Sequence, residues 1–178
     1  MPGFVTDRMA NMVTFSSIVF GSLSLVTSFN GVFNWSAILI LIAVVMDGLD
    51  GRIARKFGTV SEIGKELDSL CDLVSFGVAP AMLIYLMAIS QTPWNFYGLG
   101  VAVFYICCGA YRLARFNVLN ISAYFVGIPI TLAGLLMAVL ALVLLHIKVG
   151  PAAAAWFSMV FTLVMAVLMV SRFKVKKF

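Results

Sequence analysis

Four aspartates, Asp47, Asp50, Asp68 and Asp72, lie in the stretch MDGLDGRIARKFGTVSEIGKELDSLCD, which holds six of the chain's seven acidic residues. Asp47 and Asp50 are spaced i,i+3 and Asp68 and Asp72 i,i+4, so each pair falls on one face of a helix. A short turn between the two helices makes them antiparallel neighbours, and the two acidic faces can then meet. Four carboxylates converging in this way repel one another unless cations sit between them. Hard oxygen ligands of this kind suit Mg²⁺, Mn²⁺ or Ca²⁺, and four of them suit two ions. Gly48, Gly51 and Gly64 permit close backbone approach by a bulky anion. Arg52, Arg55, Lys56 and Lys65 surround the acids, which suits a phosphate-bearing ligand. The plainer reading is a charged loop whose acids pair with those bases. The common phase of all four aspartates on two helices, together with the glycines, argues against it.

The elements that must position these residues are membrane helices. The 178 residues are 63% hydrophobic and only 11% charged, with mean hydropathy +1.10; soluble domains carry about 25% charged residues. The +5 net charge is dispersed at the ends of apolar runs. It reads as topology signal and contact with anionic lipid, not as a nucleic-acid surface. Six runs are long enough to span, at 12–29, 34–56, 60–89, 94–115, 123–147 and 151–171. Asn30-Gly31, Gly58, Thr92-Pro93 and Gly150-Pro151 punctuate them, and Thr59 with Glu62 fits a capping box at the third helix. The first run follows Arg8 as a signal peptide would, but without a small-x-small cleavage site it is expected to stay as a helix. One all-α membrane domain over 1–178 is the expected architecture.

Alternation of six helices puts eleven of the twelve basic residues on one side, with only Lys148, near His146, opposite. The positive-inside rule then predicts both termini in the cytoplasm. Residues 36–46 give about 16 Å of apolar helix before Asp47, roughly half of the ~30 Å hydrocarbon layer. Asp47 is therefore expected inside the membrane, with the other acids at the cytoplasmic interface. An isolated carboxylate there costs several kcal/mol and needs a partner. Cys71, Cys107 and Cys108 lack a CxxC or paired pattern and read as packing residues. His146 reads as an interfacial residue, and Trp94 and Trp156 as interface anchors.

The spacing Asp47-x2-Asp50-Gly51-x2-Ala54-Arg55-x8-Gly64-x3-Asp68-x3-Asp72 resembles, at every fixed position, the signature of the CDP-alcohol phosphatidyltransferases. Within that family, ELDSLCDLVSFGVAPAMLIY, YRLARFNV and YFVGIPIT are similar to phosphatidylserine synthases of the Bacillus type, a class that includes archaeal archaetidylserine synthases. NMVTF resembles the family's start of the first helix. Asp68-Ser69-Leu70-Cys71-Asp72-Leu73 differs from the D-P-x-A-D-K of members that make phosphatidylglycerol phosphate. Cys71 stands where alanine is usual.

The resemblance implies a six-helix fold, a homodimer, and two divalent cations, Mg²⁺ or Mn²⁺, on the pyrophosphate of CDP-diacylglycerol. Asp47 and Asp68 would each touch both ions, Asp50 the first and Asp72 the second, and Asp72 would also be the base that deprotonates the acceptor alcohol. Asn11, Thr14, Gly51, Arg55 and Ser61 would contact the CDP-lipid. The implied reaction is transfer of the phosphatidyl group to L-serine, giving phosphatidylserine and CMP. Arg112 and Arg115, spaced i,i+3, offer planar two-donor forks suited to the serine carboxylate, although ordinary charge anchoring could also place them there. Ser75, one turn past Asp72, is a further candidate for the serine pocket. Competing readings are the same chemistry with another alcohol, the same chemistry on CDP-archaeol, and a cation transporter. A transporter should spread polar groups through both leaflets, and the outward half here is nearly featureless.

Overall fold

A computed structural model describes the backbone of residues 2–57, 62–119, 125–147, 149–171 and 174–175, and the side chains of 15–49, 63–118, 127–147 and 149–171. The chain opens with α1 (Pro2–Phe29) and α2 (Phe33–Phe57), the most extensively paired helices of the fold. Between them Gly31 takes φ +74°, which costs glycine nothing. Gly31 N–H donates to Ser28 O at 3.0 Å and Val32 N–H to Thr27 O at 2.9 Å, the double closure of a Schellman stop. Beneath the turn, Ser24, Ser28 and Ser36 are fully buried. Ser24 Oγ lies 2.8 Å from Ser36 Oγ, and Ser28 Oγ also bonds Ser36 Oγ.

The third rod is continuous but not uniform. It comprises α3 (Glu62–Asp72), a π-helical turn (Leu73–Val78), α4 (Ala79–Ile84) and a second π turn (Tyr85–Ile89). Pro80 supplies a physical reason for the first wide turn. It has no N–H to give to the carbonyl four residues back, and its ring crowds that carbonyl. That carbonyl belongs to Phe76. The chain bonds across the wider interval instead, with Ala79 N–H on Val74 O. Tyr105 Oη, on the neighbouring helix, donates to Phe76 O at 3.0 Å, and both side chains have 0% exposure.

α5 (Asn95–Leu119), α6 (Ile130–His146) and α7 (Pro151–Val170) complete the helices. The sixth segment starts with Pro at its first turn, as sequence punctuation predicts. The fifth departs from expectation, beginning at Ile130 where the sequence predicted a span from 123. Gly127 at φ +75° and Pro129 with extended backbone hold off the helix there. In that same connection β1 (Phe125–Val126) pairs antiparallel with β2 (Lys174–Val175).

Packing is inverted relative to a soluble protein. The core is rich in small residues, with Ala37, Ala43, Ala79, Ala133, Ala138 and Ala166 at 0% exposure around Phe76, Tyr105, Ile130 and Met137. A Cβ added to Gly134 would stand 3.0 Å from Phe76 Cα, and one on Gly21 would stand 2.7 Å from Ser75 Cα. Such close backbone approach is how helices associate in lipid. Large apolar side chains face outward instead, as in Phe15, Val19, Leu23 and Val26 on α1 and Phe157, Val160, Val164 and Val167 on α7. Three segments, Ile63–Ile89, Asn95–Val118 and Pro151–Val170, are long and apolar enough to cross a membrane. Three shorter apolar stretches accompany them, at Phe15–Phe29, Phe33–Leu49 and Ile130–His146.

Candidate active site

The acidic cluster is assembled from two helices and braced by two more. α2 contributes Asp47; α3 contributes Asp68 and Asp72 one turn apart. A carboxylate oxygen from each lies within 4.8 Å of the others, and all three side chains are half-buried. The i,i+4 spacing thus does what helix geometry requires of it. Asp50, the fourth expected ligand, lies on the backbone of α2, and its side chain is outside the described residues. The same holds for Asn11, Thr14, Gly51 and Arg55; Ser61, Thr59 and Gly58 lie outside entirely.

The donor set has the character of a hard-cation site. Three carboxylate oxygens within 4.8 Å of one another repel unless a proton or a cation is shared among them. Oδ1 of Asp72 is buried and has no hydrogen-bond partner among the described residues. A buried, unpartnered carboxylate oxygen is costly, and a divalent ion in the cluster would satisfy it. The residues present therefore fit the metal role.

Two contacts complete the frame that the sequence did not foretell. Thr131 Oγ1, at the start of α6, donates to Asp47 Oδ2 at 3.4 Å. Asn117, near the end of α5, donates through Nδ2 to Glu66 Oε1 at 3.2 Å and to Ser69 Oγ at 3.0 Å. Lys65 Nζ donates to the Asn117 carbonyl at 3.3 Å, and Ser69 Oγ to Lys65 O at 3.1 Å. Thr131 closes the motif YFVGIPIT and Asn117 follows the two arginines, so both were visible as positions. Their partners, 84 and 48 to 51 residues away in sequence, were not.

Arg112 is half-buried on α5, within electrostatic reach of Asp72, and its buried Nε has no hydrogen-bond partner among the described residues. An unpartnered guanidinium nitrogen and an unpartnered carboxylate oxygen thus occupy one polar region. Arg115 is half-buried one turn further along α5. Ser75, the further candidate for the serine pocket, has 0% exposure and donates to Ser17 O on α1 at 2.9 Å. Cys71 is buried at 1% exposure, beside the acids in sequence.

The family model for CDP-alcohol phosphatidyltransferase matches residues 8–171, so it takes in the acidic cluster and every helix around it. The chain belongs to the CDP-alcohol phosphatidyltransferase family. Three curated relatives within reach of its sequence carry more specific names. A CDP-diacylglycerol–serine O-phosphatidyltransferase of Helicobacter pylori is 35% identical over 175 residues, covering 94% of this chain and 71% of the relative. The enzyme of that name from Bacillus subtilis is 37% identical over 130 residues, covering 72% of each chain. An archaetidylserine synthase of Methanothermobacter thermautotrophicus is 44% identical over 116 residues, covering 64% of this chain and 48% of the relative. Matches to the curated relatives thus span from about half to under three quarters of those proteins' lengths. Members of this family depend on divalent metal, which agrees with the cluster's chemistry.

Proposed function

We propose that this protein transfers the phosphatidyl group from CDP-diacylglycerol to the hydroxyl of L-serine, giving phosphatidylserine and CMP. The observation that carries the reading is the meeting of Asp47, Asp68 and Asp72 around an unpartnered Asp72 oxygen. The names of the relatives from Helicobacter pylori and Bacillus subtilis supply the acceptor. Six crossings with both termini in the cytoplasm, and a homodimer, complete the proposal.

In this reading Asp47, Asp50, Asp68 and Asp72 hold two divalent cations, Mg²⁺ or Mn²⁺. Bound there, the ions would neutralise the pyrophosphate and steady the departing CMP. The remaining work falls to the chain. Gly51 and Arg55, with Asn11, Thr14 and Ser61, hold the CDP moiety. Arg112, and Arg115 beside it, take the serine carboxylate, where a guanidinium fork matches two oxygens. Asp72 accepts the proton of the serine hydroxyl as that oxygen attacks the lipid-bearing phosphorus. The bond from that phosphorus to the CMP oxygen breaks, and CMP leaves with the electron pair. Serine's hydroxyl is far too weak an acid to ionise at neutral pH, so a base within reach is needed. Ser75 is left out of the acceptor pocket, since its hydroxyl is committed to α1.

The archaetidylserine synthase relative favours one variant of this reading, with CDP-archaeol as donor and serine still the acceptor. A single assay tests both. Purified protein is given Mn²⁺, CDP-diacylglycerol or CDP-archaeol, and a panel of serine, glycerol 3-phosphate, inositol and ethanolamine, with CMP release as readout. Serine alone is expected to drive release. Release driven by another alcohol with none by serine would overturn the assignment.

A further inference from the structure

We propose that Asn117 is a positioning residue that sets the distance between the acceptor-binding arginines and the aspartate cluster. The inference rests on the serine reading above and deepens it. The metal ligands come from α2 and α3, while Arg112 and Arg115 come from α5. Something must therefore fix the end of α5 against α3 if a serine held by one is to meet the base on the other. Asn117 is placed to do this. Its amide reaches Glu66 Oε1 and Ser69 Oγ on α3, at 3.2 and 3.0 Å, and its carbonyl receives Lys65 Nζ at 3.3 Å. Ser69 is itself tied back to Lys65 O and follows Asp68 directly. Asn117 lies two residues past Arg115 and five past Arg112. Three bonds thus join one turn of α5 to one turn of α3, level with the sequence neighbours of both groups.

The alternatives predict different kinetics. A clamp acts on serine through the arginines, and leaves the aspartates, which sit on α2 and α3, undisturbed. Asn117→Leu keeps the side chain's size and removes its donors; Ser69→Ala removes one acceptor from the same link. In the clamp reading each raises KM for serine, roughly tenfold for Asn117→Leu and less for Ser69→Ala. KM for CDP-diacylglycerol and the Mn²⁺ concentration for half-maximal rate stay at wild-type values. The double variant is no worse than Asn117→Leu alone, because both break one connection. Direct contact between Asn117 and serine would leave Ser69→Ala silent, which overturns the proposal. A merely structural bond would lower the melting temperature of each variant while moving no KM, which also overturns it. Wild-type protein run alongside separates the two failures. If it releases CMP with serine and Asn117→Leu matches its serine KM, the clamp is wrong; if it does not use serine at all, the functional assignment is wrong.

Discussion

Replacing Tyr105 by Phe should cost stability, and the cost should depend on whether residue 80 is proline. The Tyr105 hydroxyl gives Phe76 O a donor at 3.0 Å in a fully buried setting. Pro80 is the reason an outside donor matters, since no N–H at position 80 is available to that carbonyl. Leaving a buried acceptor short of a partner costs about 1–3 kcal/mol. Hydrogen bonds between membrane helices measured by double-mutant cycles average about 0.6 and reach about 1.7 kcal/mol. The overlap of those ranges predicts a loss of about 1–1.7 kcal/mol for Tyr105→Phe. Pro80→Ala restores an N–H that can serve Phe76 O within the rod. In that background Tyr105→Phe should cost under about 0.5 kcal/mol, leaving a coupling near 1 kcal/mol. Reversible unfolding in mixed micelles of the wild type, both single variants and the double variant reads the coupling directly. Equal losses in the two backgrounds would refute the link between proline, wide turn and tyrosine.

Removal of divalent metal with EDTA should abolish CMP release, and excess Mg²⁺ or Mn²⁺ should restore it; full turnover in EDTA would be incompatible with the cation reading of the aspartates. Asp72→Asn should abolish turnover yet keep much of the CDP-lipid binding, whereas Asp47→Asn should damage both, as titration of a CDP-lipid analogue alongside the rate assay would show. Arg112→Lys keeps the charge but loses the planar fork, so serine KM should rise about tenfold or more with the CDP-diacylglycerol KM little changed. Wild-type serine kinetics in that variant would send the search for the carboxylate site elsewhere.

The part of the site that sequence made legible is the part that helix periodicity dictates. Asp68 and Asp72 had to share a face, and a short turn between two antiparallel helices had to bring Asp47 near them; the three carboxylates do converge. The helices followed the apolar runs closely at 34–56, 60–89 and 151–171, whereas α1 begins ten residues before its run, at Pro2, and α6 seven residues into its own, where Gly127 and Pro129 intervene. Ser75 shows the limit of periodic reasoning. The wide turn that begins at Leu73 sets Ser75 against Ser17 of α1, a contact that periodicity alone does not give. Pro80 was the readable warning of that turn. Thr131 and Asn117 could not be assigned partners from sequence, because each acts through a contact that exists only after distant helices have packed.

During synthesis α1 and α2 emerge before the helix that carries Asp68 and Asp72, and they emerge with three buried serines already matched to one another. A hydroxyl entering hydrocarbon alone is disfavoured; Ser24, Ser28 and Ser36 meet one another within this one hairpin. No later helix is required to satisfy them. The hairpin is thus suited to leave the translocation machinery as a closed pair, held at its far end by the turn at Gly31. Synthesis arrested just past α2 should yield two inserted spans, and glycosylation mapping that finds only one would count against this order of events. The helix that carries Asp68 and Asp72 then packs against a hairpin, Asp47 included, that is already in the bilayer.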